Sequence, residues 1–462
     1  MSINPDMWCA LYLCCLIVVG YPAAAGLARG ATRMEIAALT ACIGPGIMAL
    51  LLIFLSMMGL PPSMREIFSI TACAAVAGAV VLWRHKSPPP SNLPEKTPSV
   101  LWIILCALAI AYGVFSVAYD ALAFPVNEWD AFAIWQLKAK VLAMHPLYPR
   151  PGYFWDLSLS YSHLRYPLLV PMASAGMHAM TGRLDDLGKV ISLLWYPGML
   201  AAIYALVRRI NGTTAALTAT ALTACLMPMC RYEGSGTAEA ALAAFYACSI
   251  VCIVRWRQTQ AWGYLILAAL LSALMAWTKN EGLALAAINV VVIAVMGQNR
   301  RKSLAAAATL AAIVTAIYLP WIFYTWGLPR TDEDYAAKLR LHQFIANAGR
   351  IWPAITGIGA ELFDITHWGL FWEILVVLAA VQWRKFKNPA VATIGLLVAL
   401  HLLAYIPPMV VSNWKLDELL YTTSQRLILH VAPAGAILIG VLWPRREAIA
   451  NGSSRKGAAE LL

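Results

Sequence analysis

The chain has 462 residues, of which 61% are hydrophobic and only 12% are charged, and it contains 18 tryptophans. Because roughly 25% of the residues of a soluble domain are charged, this composition excludes an ordinary water-soluble protein. Apolar runs near the ~20 residues needed to cross a bilayer recur along the whole chain. We predict an all-α polytopic membrane protein with about thirteen transmembrane helices, near residues 7–27, 36–58, 67–83, 100–118, 188–207, 211–229, 237–254, 261–277, 282–297, 303–323, 368–383, 389–411 and 427–443.

The positive charges follow a topology pattern, because short cytoplasmic loops accumulate Lys and Arg. Every second connection is basic, and these basic segments are predicted to be cytoplasmic: residues 29–33, 84–96, 208–209, 255–257, 300–302, 384–387 and the tail from Arg445. The N-terminus is then outside and the C-terminus cytoplasmic. The net charge of +11 therefore reports topology, and we predict no nucleic-acid partner. The expected location is a bacterial inner membrane, with the active site on the periplasmic face.

A Pro-rich polar segment, residues 87–98, divides the chain and is predicted to be an extended cytoplasmic linker. Residues 1–86 before it are predicted to form an accessory, lipid-facing segment of three helices with almost no buried charge. Residues 99–444 form the predicted catalytic core, with long external loops at 119–187 and 324–367. Residues 445–462 are the predicted cytoplasmic tail.

The first external loop contains the densest group of reactive side chains. Glu128 and Asp130 directly follow an apolar helix, and carboxylates there cost several kcal/mol if they face lipid. We therefore expect them to face a cavity, water or a partner cation, and we interpret this loop as the active-site loop.

The residues after Glu128 repeat at a helical spacing. An apolar stripe is formed by Trp129, Phe132, Trp135, Ala139 and Leu142, with Asp130, Gln136, Lys138 and Lys140 off it. This pattern predicts a helix lying along the membrane surface, with its aromatic rings at the headgroup boundary. The alternative is an amphipathic helix that only seals the bundle.

A second apolar stretch, Ser162–Met180, is interrupted by Pro167 and Pro171. Counting it as a membrane span would invert the cation pattern that follows it. We predict a second interfacial helix here, with the chain returning to the membrane near Gly188.

The later external turns also carry charge. Glu233 and Glu239 stand at the outer start of one predicted span, and Lys279 and Glu281 stand between two others. An ion pair of Lys279 with Glu281 or Glu239 is the simpler explanation, since charges at this depth usually have partners. The alternative is that Lys279 binds an anionic ligand, most simply a phosphate.

Two further charged features lie near the C-terminal spans. The run Asp332, Glu333 and Asp334 is typical of a solvated loop or a helix N-terminus. Arg426 opens the last predicted span, where an arginine should either extend to the interface or meet an anion.

Together these segments resemble the GT-C superfamily, integral-membrane glycosyltransferases that include the lipid A aminoarabinose transferase and the protein mannosyltransferases. DAFAIWQLKAKVL is similar to their first-loop motif, in which an Asp-Glu pair opens a helix, and it aligns Asp130 with the first acid; the second position is Ala131 here. RYPLL from Arg165 to Leu169 is similar to a KPPL-type segment, AEAALAAF to the acidic start of a later span, and TKNEG to a TKG turn. The resemblance covers roughly residues 100–443, and three spans precede the usual first one.

The resemblance implies transfer of a sugar from a polyprenyl-phosphate donor to an acceptor hydroxyl, usually with inversion. Such a reaction needs a base for the acceptor and cations for the departing phosphate. The implied roles are a base and its acidic partners (Asp130, Glu128, Glu239), cations for the phosphate (Lys279, Arg426, Arg165), and acceptor or positioning groups (Glu281, His163, Lys138). Asp130 and Glu239 could also hold Mg or Mn, although no cofactor is certain.

The expected partners are the lipid-linked donor, membrane lipid, and an acceptor that is a glycolipid, a polysaccharide or a protein. A transporter or lipid flippase is the competing class, and it predicts charges near the middle of the spans. A polymerase or ligase of surface polysaccharide shares the donor but would favour a larger external loop rich in Arg and His.

Overall fold

The structure is a computed structural model that describes residues 4–84, 97–297, 299–330 and 338–444. Most of the predicted linker, the predicted tail and the run Asp332–Asp334 lie outside these residues. The described chain contains helices and no strand. The predicted all-α polytopic class is thereby confirmed.

The α-helices are numbered here in chain order. They are α1 Pro5–Leu27, α2 Arg33–Met57, α3 Met64–Arg84, α4 Val100–Ala123, α5 Leu137–Met144, α6 Leu169–Thr181, α7 Ser192–Asn211, α8 Thr213–Ala224, α9 Met227–Tyr232, α10 Glu239–Thr259, α11 Trp262–Thr278, α12 Asn280–Met296, α13 Arg300–Thr325, α14 Leu341–Ala346, α15 Ile351–Leu362, α16 Ile365–Trp368, α17 Phe371–Val381, α18 Pro389–Ala404, α19 Ile406–Val411 and α20 Leu416–Leu442. A π-helix, Ala131–Gln136, runs directly into α5.

The thirteen predicted spans correspond to helices of different lengths. Nine described segments are long and apolar enough to cross a membrane, and α11, α12 and α17 are shorter apolar helices. The predicted span at 211–229 is instead α8, of 12 residues, followed by a break and by α9. At 1.5 Å per residue, α8 extends only about 18 Å and is too short to cross the ~30 Å hydrocarbon core.

Helix α10 lies at the centre of the bundle and is buried along its whole length. It packs against α7, α11 and α20, while α3 and α4 expose most of their surface. Several basic connections meet at one end of the bundle, where Arg255 donates to the Gly30 carbonyl (3.3 Å) and Lys385 to that of Trp443 (2.8 Å). The predicted basic segments 29–33, 255–257 and 384–387 therefore lie close together, since Arg257 also donates to the Pro389 carbonyl at 2.7 Å.

The N-terminal helices differ from the predicted lipid-facing segment. α2 packs against α7 and α6, and it carries Glu35, whose side chain is 1% exposed. Glu66 of α3 is also buried. The expectation of almost no buried charge is therefore wrong, because these acids pair with arginines: Glu35 with Arg209 at 2.6 Å and Glu66 with Arg65 at 2.7 Å.

The two predicted interfacial helices are shorter and more deeply packed than expected. In the first, Trp135, Ala139 and Leu142 are buried inside the protein instead of facing the headgroups, whereas Trp129 and Phe132 are exposed. The second begins at Leu169 instead of Ser162 and is buried on nearly every side. α5 and α6 pack on each other, and this contact explains why neither helix presents a simple amphipathic face.

Candidate active site

Five of the predicted site residues meet at the end of the bundle opposite the basic connections, and we call them the charged centre: Asp130, Glu239, Lys279, Glu281 and Arg426. Arg426 Nη2 lies 2.6 Å from Asp130 Oδ2 and 2.7 Å from Glu239 Oε1. Lys279 Nζ lies 3.1 Å from the same Glu239 oxygen and 3.2 Å from Glu281 Oε1. Two cations thus link three carboxylates into one network, and both ion pairs proposed for Lys279 are present.

Helix ends bring these side chains together. Glu239 is the first residue of α10, where the positive end of the helix dipole favours a carboxylate. Lys279 is the extended residue between α11 and α12. Arg426 does not open its helix as predicted, because α20 begins ten residues earlier at Leu416. Arg426 therefore lies within α20, and from there it contacts Glu239 at the start of α10.

Side-chain exposure rises across the charged centre from Glu239 (0%) through Lys279 (6%) and Arg426 (16%) to Glu281 (25%) and Asp130 (26%). Glu239 has no surface with which to touch a substrate, so it acts by holding two cations. Its Oε2 atom is buried without a hydrogen-bond partner. Asp130 and Glu281 form the accessible edge.

Lys279 keeps its proton at neutral pH. Burial lowers the pKa of Lys279, but the Glu239 and Glu281 carboxylates outweigh that effect and leave the pKa above its usual value. The charged centre contains three acidic and two basic side chains. Every cation of the charged centre is therefore already shared between carboxylates.

Lys138 and His163 support the accessible edge. Lys138 lies off the apolar stripe but is fully buried, and its Nζ donates to the His163 carbonyl at 2.7 Å. Burial holds the pKa of the Lys138 amine well below its usual range. Burial, and then the charge of Lys138, lower the pKa of His163 to about 4, and the Asp130 carboxylate partly opposes this. His163 is thus neutral at pH 7.

The other two predicted site residues, Glu128 and Arg165, lie outside the charged centre. Glu128 pairs with Arg231 at 2.9 Å instead of joining the charged centre. Arg165 lies close enough to Tyr318 of α13 to act on it electrostatically.

Sequence reasoning missed Arg231 and His430. Arg231 is two residues before Glu233, in a turn for which only Glu233 and Glu239 were considered. His430 is one helical turn beyond Arg426 and accepts or donates a hydrogen bond with the Tyr405 hydroxyl at 3.3 Å. The four-residue spacing from Arg426 places both side chains on one helix face and could have revealed it.

Glu233 was predicted to stand at the outer start of a span but was not assigned to the site. Its side chain is buried, and neither carboxyl oxygen has a hydrogen-bond partner. Burial, followed by the charge of Glu239, raises the pKa of Glu233 well above its usual value.

The predicted carboxylate pair for a metal does not fit such an ion. Arg426 occupies the position between Asp130 and Glu239, and the Glu239 oxygen that it contacts also accepts from Lys279. In the described part of the chain, one group of three side chains is close enough to share a metal, and it lies elsewhere: Glu361, Asp364 and His367. We derive no metal step at the charged centre.

One family model matches this chain. Residues 165–324, about a third of the length, match the model of the dolichyl-phosphate-mannose-protein mannosyltransferase family. The predicted resemblance to the GT-C superfamily is confirmed. The GT-C match indicates glycosyltransferase activity in a multi-pass membrane protein. It includes Arg165, Glu239, Lys279 and Glu281, whereas Asp130 and Arg426 lie outside it.

Searches of the curated proteins and of the solved structures give no match to this chain.

Proposed function

We propose that this protein transfers a sugar from a polyprenyl-phosphate donor to an acceptor hydroxyl at the outer face of a bacterial inner membrane. The observation that carries the proposal is the bridge that Arg426 makes between the accessible Asp130 and the buried Glu239. It places a candidate base and a candidate phosphate-binding cation in direct contact. The family match supports the glycosyltransferase class.

In the proposed reaction, Asp130 takes the proton of the acceptor hydroxyl. The acceptor oxygen attacks the anomeric carbon from the face opposite the phosphate, and the bond between that carbon and the phosphate oxygen breaks. The electron pair leaves with polyprenyl phosphate, whose added charge Lys279 and Arg426 stabilise. Attack from the opposite face inverts the anomeric carbon, and no covalent sugar–enzyme intermediate is needed.

The ion pairs suggest how donor binding prepares the base. Arg426 contacts Asp130 at 2.6 Å, so each charge offsets the other. A donor phosphate competes with Asp130 for this guanidinium, because Arg binds phosphate and carboxylate with the same fork of donors. Binding would thus release Asp130 as a base only when the sugar is in place.

The location of the charges favours this enzyme over the transporter. Glu239 begins α10, Lys279 lies between two helices and Asp130 precedes the π-helix, so these groups lie at one end of the bundle. A translocation path would place them along the middle of the spans. The polysaccharide polymerase shares the donor and differs in its acceptor.

The decisive experiment measures release of free polyprenyl phosphate by purified wild-type protein and by Asp130→Asn, given lipid-linked sugars and a membrane extract as acceptor. We expect Asp130→Asn to lose at least ~100-fold in rate, as is typical when a general base is removed. Asp156→Asn, at an exposed position in the same loop, is the matched control and should remain active. A fully active Asp130→Asn would refute the assignment, and a folded wild type that moves the donor without cleaving it would favour the transporter.

A further inference from the structure

A cleft of about 530 Å³ opens beside α4, between this helix, the connection to the π-helix and α9. Its volume lies within the ~300–1,000 Å³ typical of ligand pockets. Its wall includes Tyr112, Phe115 and Tyr119 of α4, which are 60%, 65% and 51% exposed. We call it the α4 cleft. It lies on a helix that exposes most of its surface, so it is open to the lipid side.

The α4 cleft is apolar at one end and polar at the other. Tyr112 lies eleven residues before the end of α4 at Ala123, or roughly 16 Å along the helix axis, about half the thickness of the hydrocarbon core. Asp120, Glu128 and Arg231 line the opposite end, beside the external loop. This polarity matches a lipid whose chain lies in the membrane and whose headgroup lies at its surface.

The polar end is continuous with the charged centre on two sides. Glu128 is two residues from Asp130 along the chain. Next to Arg231, the Tyr232 hydroxyl donates to Gln425 at 3.1 Å, and Gln425 precedes Arg426. A headgroup in the α4 cleft would therefore lie beside the candidate base.

The charges at the polar end select the kind of headgroup. Its lining has two carboxylates and one cation, Arg231, which is already paired with Glu128 at 2.9 Å. Behind the lining, Lys189 Nζ lies 4.0 Å from Asp120 Oδ1. Because both cations already have carboxylate partners, this set favours hydroxyl groups, which can donate to the carboxylates, over a phosphate. The donor phosphate has better partners in Lys279 and Arg426.

We propose that the α4 cleft binds the acceptor, and that the acceptor is a membrane lipid with a hydroxyl-bearing, sugar-like headgroup. This inference rests on the proposed function and narrows its acceptor to a lipid. The lipid enters sideways from the bilayer along the aromatic face of α4. Its headgroup hydroxyl is then presented to Asp130 from the side of Glu128.

The test uses p-benzoylphenylalanine, a photo-crosslinking residue, at position 115 of the full chain in native membranes, with position 323 as control. Phe115 and Phe323 are 65% and 62% exposed, and both replacements exchange one aromatic ring for another. Irradiation is followed by mass spectrometry of the attached lipids. We expect a glycolipid to be enriched about tenfold over bulk phospholipid at position 115 only. The same bulk phospholipids at both positions, or polyprenyl phosphate at position 115, would overturn the proposal.

A second variant separates this inference from the proposed function. Ser116→Trp places a large ring on the wall of the α4 cleft. With a membrane lipid extract as the acceptor pool, we expect the amount of extract needed for half-maximal polyprenyl-phosphate release to rise at least fivefold, while binding of the lipid-linked donor is unchanged. An unchanged requirement for extract would exclude the α4 cleft as the acceptor site. Loss of transfer in Asp130→Asn would still support the glycosyltransferase.

Discussion

Two buried glutamates, Glu35 and Glu239, each gather two cations, and they lie near opposite ends of α10. Glu35 contacts Arg209 at 2.6 Å and Arg255 of α10 at 3.6 Å. Glu239 begins the same helix, sixteen residues or roughly 24 Å along its axis from Arg255. Two clusters with the same kinds of charge can therefore be compared within one helix bundle.

The difference lies in how their hydrogen bonds are completed. Both Glu35 oxygens are occupied, because Oε1 accepts from Arg209 and Oε2 accepts from Arg209 and from the Thr32 amide. Glu239 instead takes its cations on one oxygen, and each cation reaches on to a partly exposed acid, Asp130 or Glu281. The first cluster is closed and joins helices, whereas the second is open and its outer ion pairs can be exchanged for a ligand.

The largest expected contrast comes from removing one arginine of each cluster. Arg426→Ala and Arg209→Ala should each destabilise the protein by about 3 kcal/mol, because a buried carboxylate loses a partner. Only Arg426→Ala should also lower transfer per folded molecule by at least ~100-fold, since the phosphate loses its stabilising charge. Thermal unfolding in detergent and the rate per folded protein give the two quantities. Equal loss of rate in both variants would mean that the two clusters do not differ in function.

Lys279 tests the same comparison through binding of the donor. Lys279→Met keeps most of the buried side-chain volume and removes the charge. Because a hydrogen bond to a charged group contributes about 1.5–3 kcal/mol, we expect donor affinity to fall by about 10- to 100-fold. Direct binding of a lipid-linked sugar measures it, with Lys140→Met in the first external loop as the control. Unchanged donor affinity would remove Lys279 from the phosphate site and leave it as an ion-pair partner only.

Composition and charge position predicted the membrane class, most helices and the face on which basic connections meet. They also identified the five side chains of the charged centre, since charges at the ends of apolar helices are few and need partners. Burial of short helices could not be predicted in the same way. Lys138 lies on the polar side of an amphipathic pattern, where exposure is expected, but α5 packs against α6, and the buried amine donates a hydrogen bond to the His163 carbonyl.

Ion pairs between residues far apart in the chain could not be predicted from the sequence either. Glu128 and Asp130 are only two residues apart in the chain, yet Glu128 pairs with Arg231 and Asp130 pairs with Arg426. The choice depends on how α9 and α20 approach the loop, which no local pattern contains. Likewise, the sequence of α2 alone predicts an apolar, lipid-facing helix. In the structure its Glu35 pairs with Arg209 and Arg255, which are far away in the chain.

The folding stability of the protein should also depend on pH, because the pKa of His163, beside the open cluster, is lowered in the folded state. Its folded-state pKa of about 4 lies below the usual ~6.5, so only the unfolded chain binds a proton between these values. Stability is therefore complete above pH ~6.5 and falls as the pH drops toward 4, by about 2 kcal/mol after allowance for solvent screening. Unfolding measured from pH 7 to 4 should show a weaker decline in His163→Asn. Asn tolerates the positive φ of 52° at this position, so a parallel decline would exclude His163 as the source.

The smallest predicted effect is an increase in donor affinity, in contrast to the decrease expected for Lys279→Met. Glu281 is 25% exposed and competes with a donor phosphate for Lys279, at 3.2 Å, while Glu239 continues to hold the same amine from the buried side. Glu281→Gln should thus strengthen donor binding by about two- to fivefold, since a partly exposed ion pair contributes less than ~1 kcal/mol. Among the described residues, the closed cluster contains Glu35 alone as an acid, and its side chain is 1% exposed. Weaker donor binding in Glu281→Gln would mean that this carboxylate positions Lys279 for the phosphate instead of competing with it.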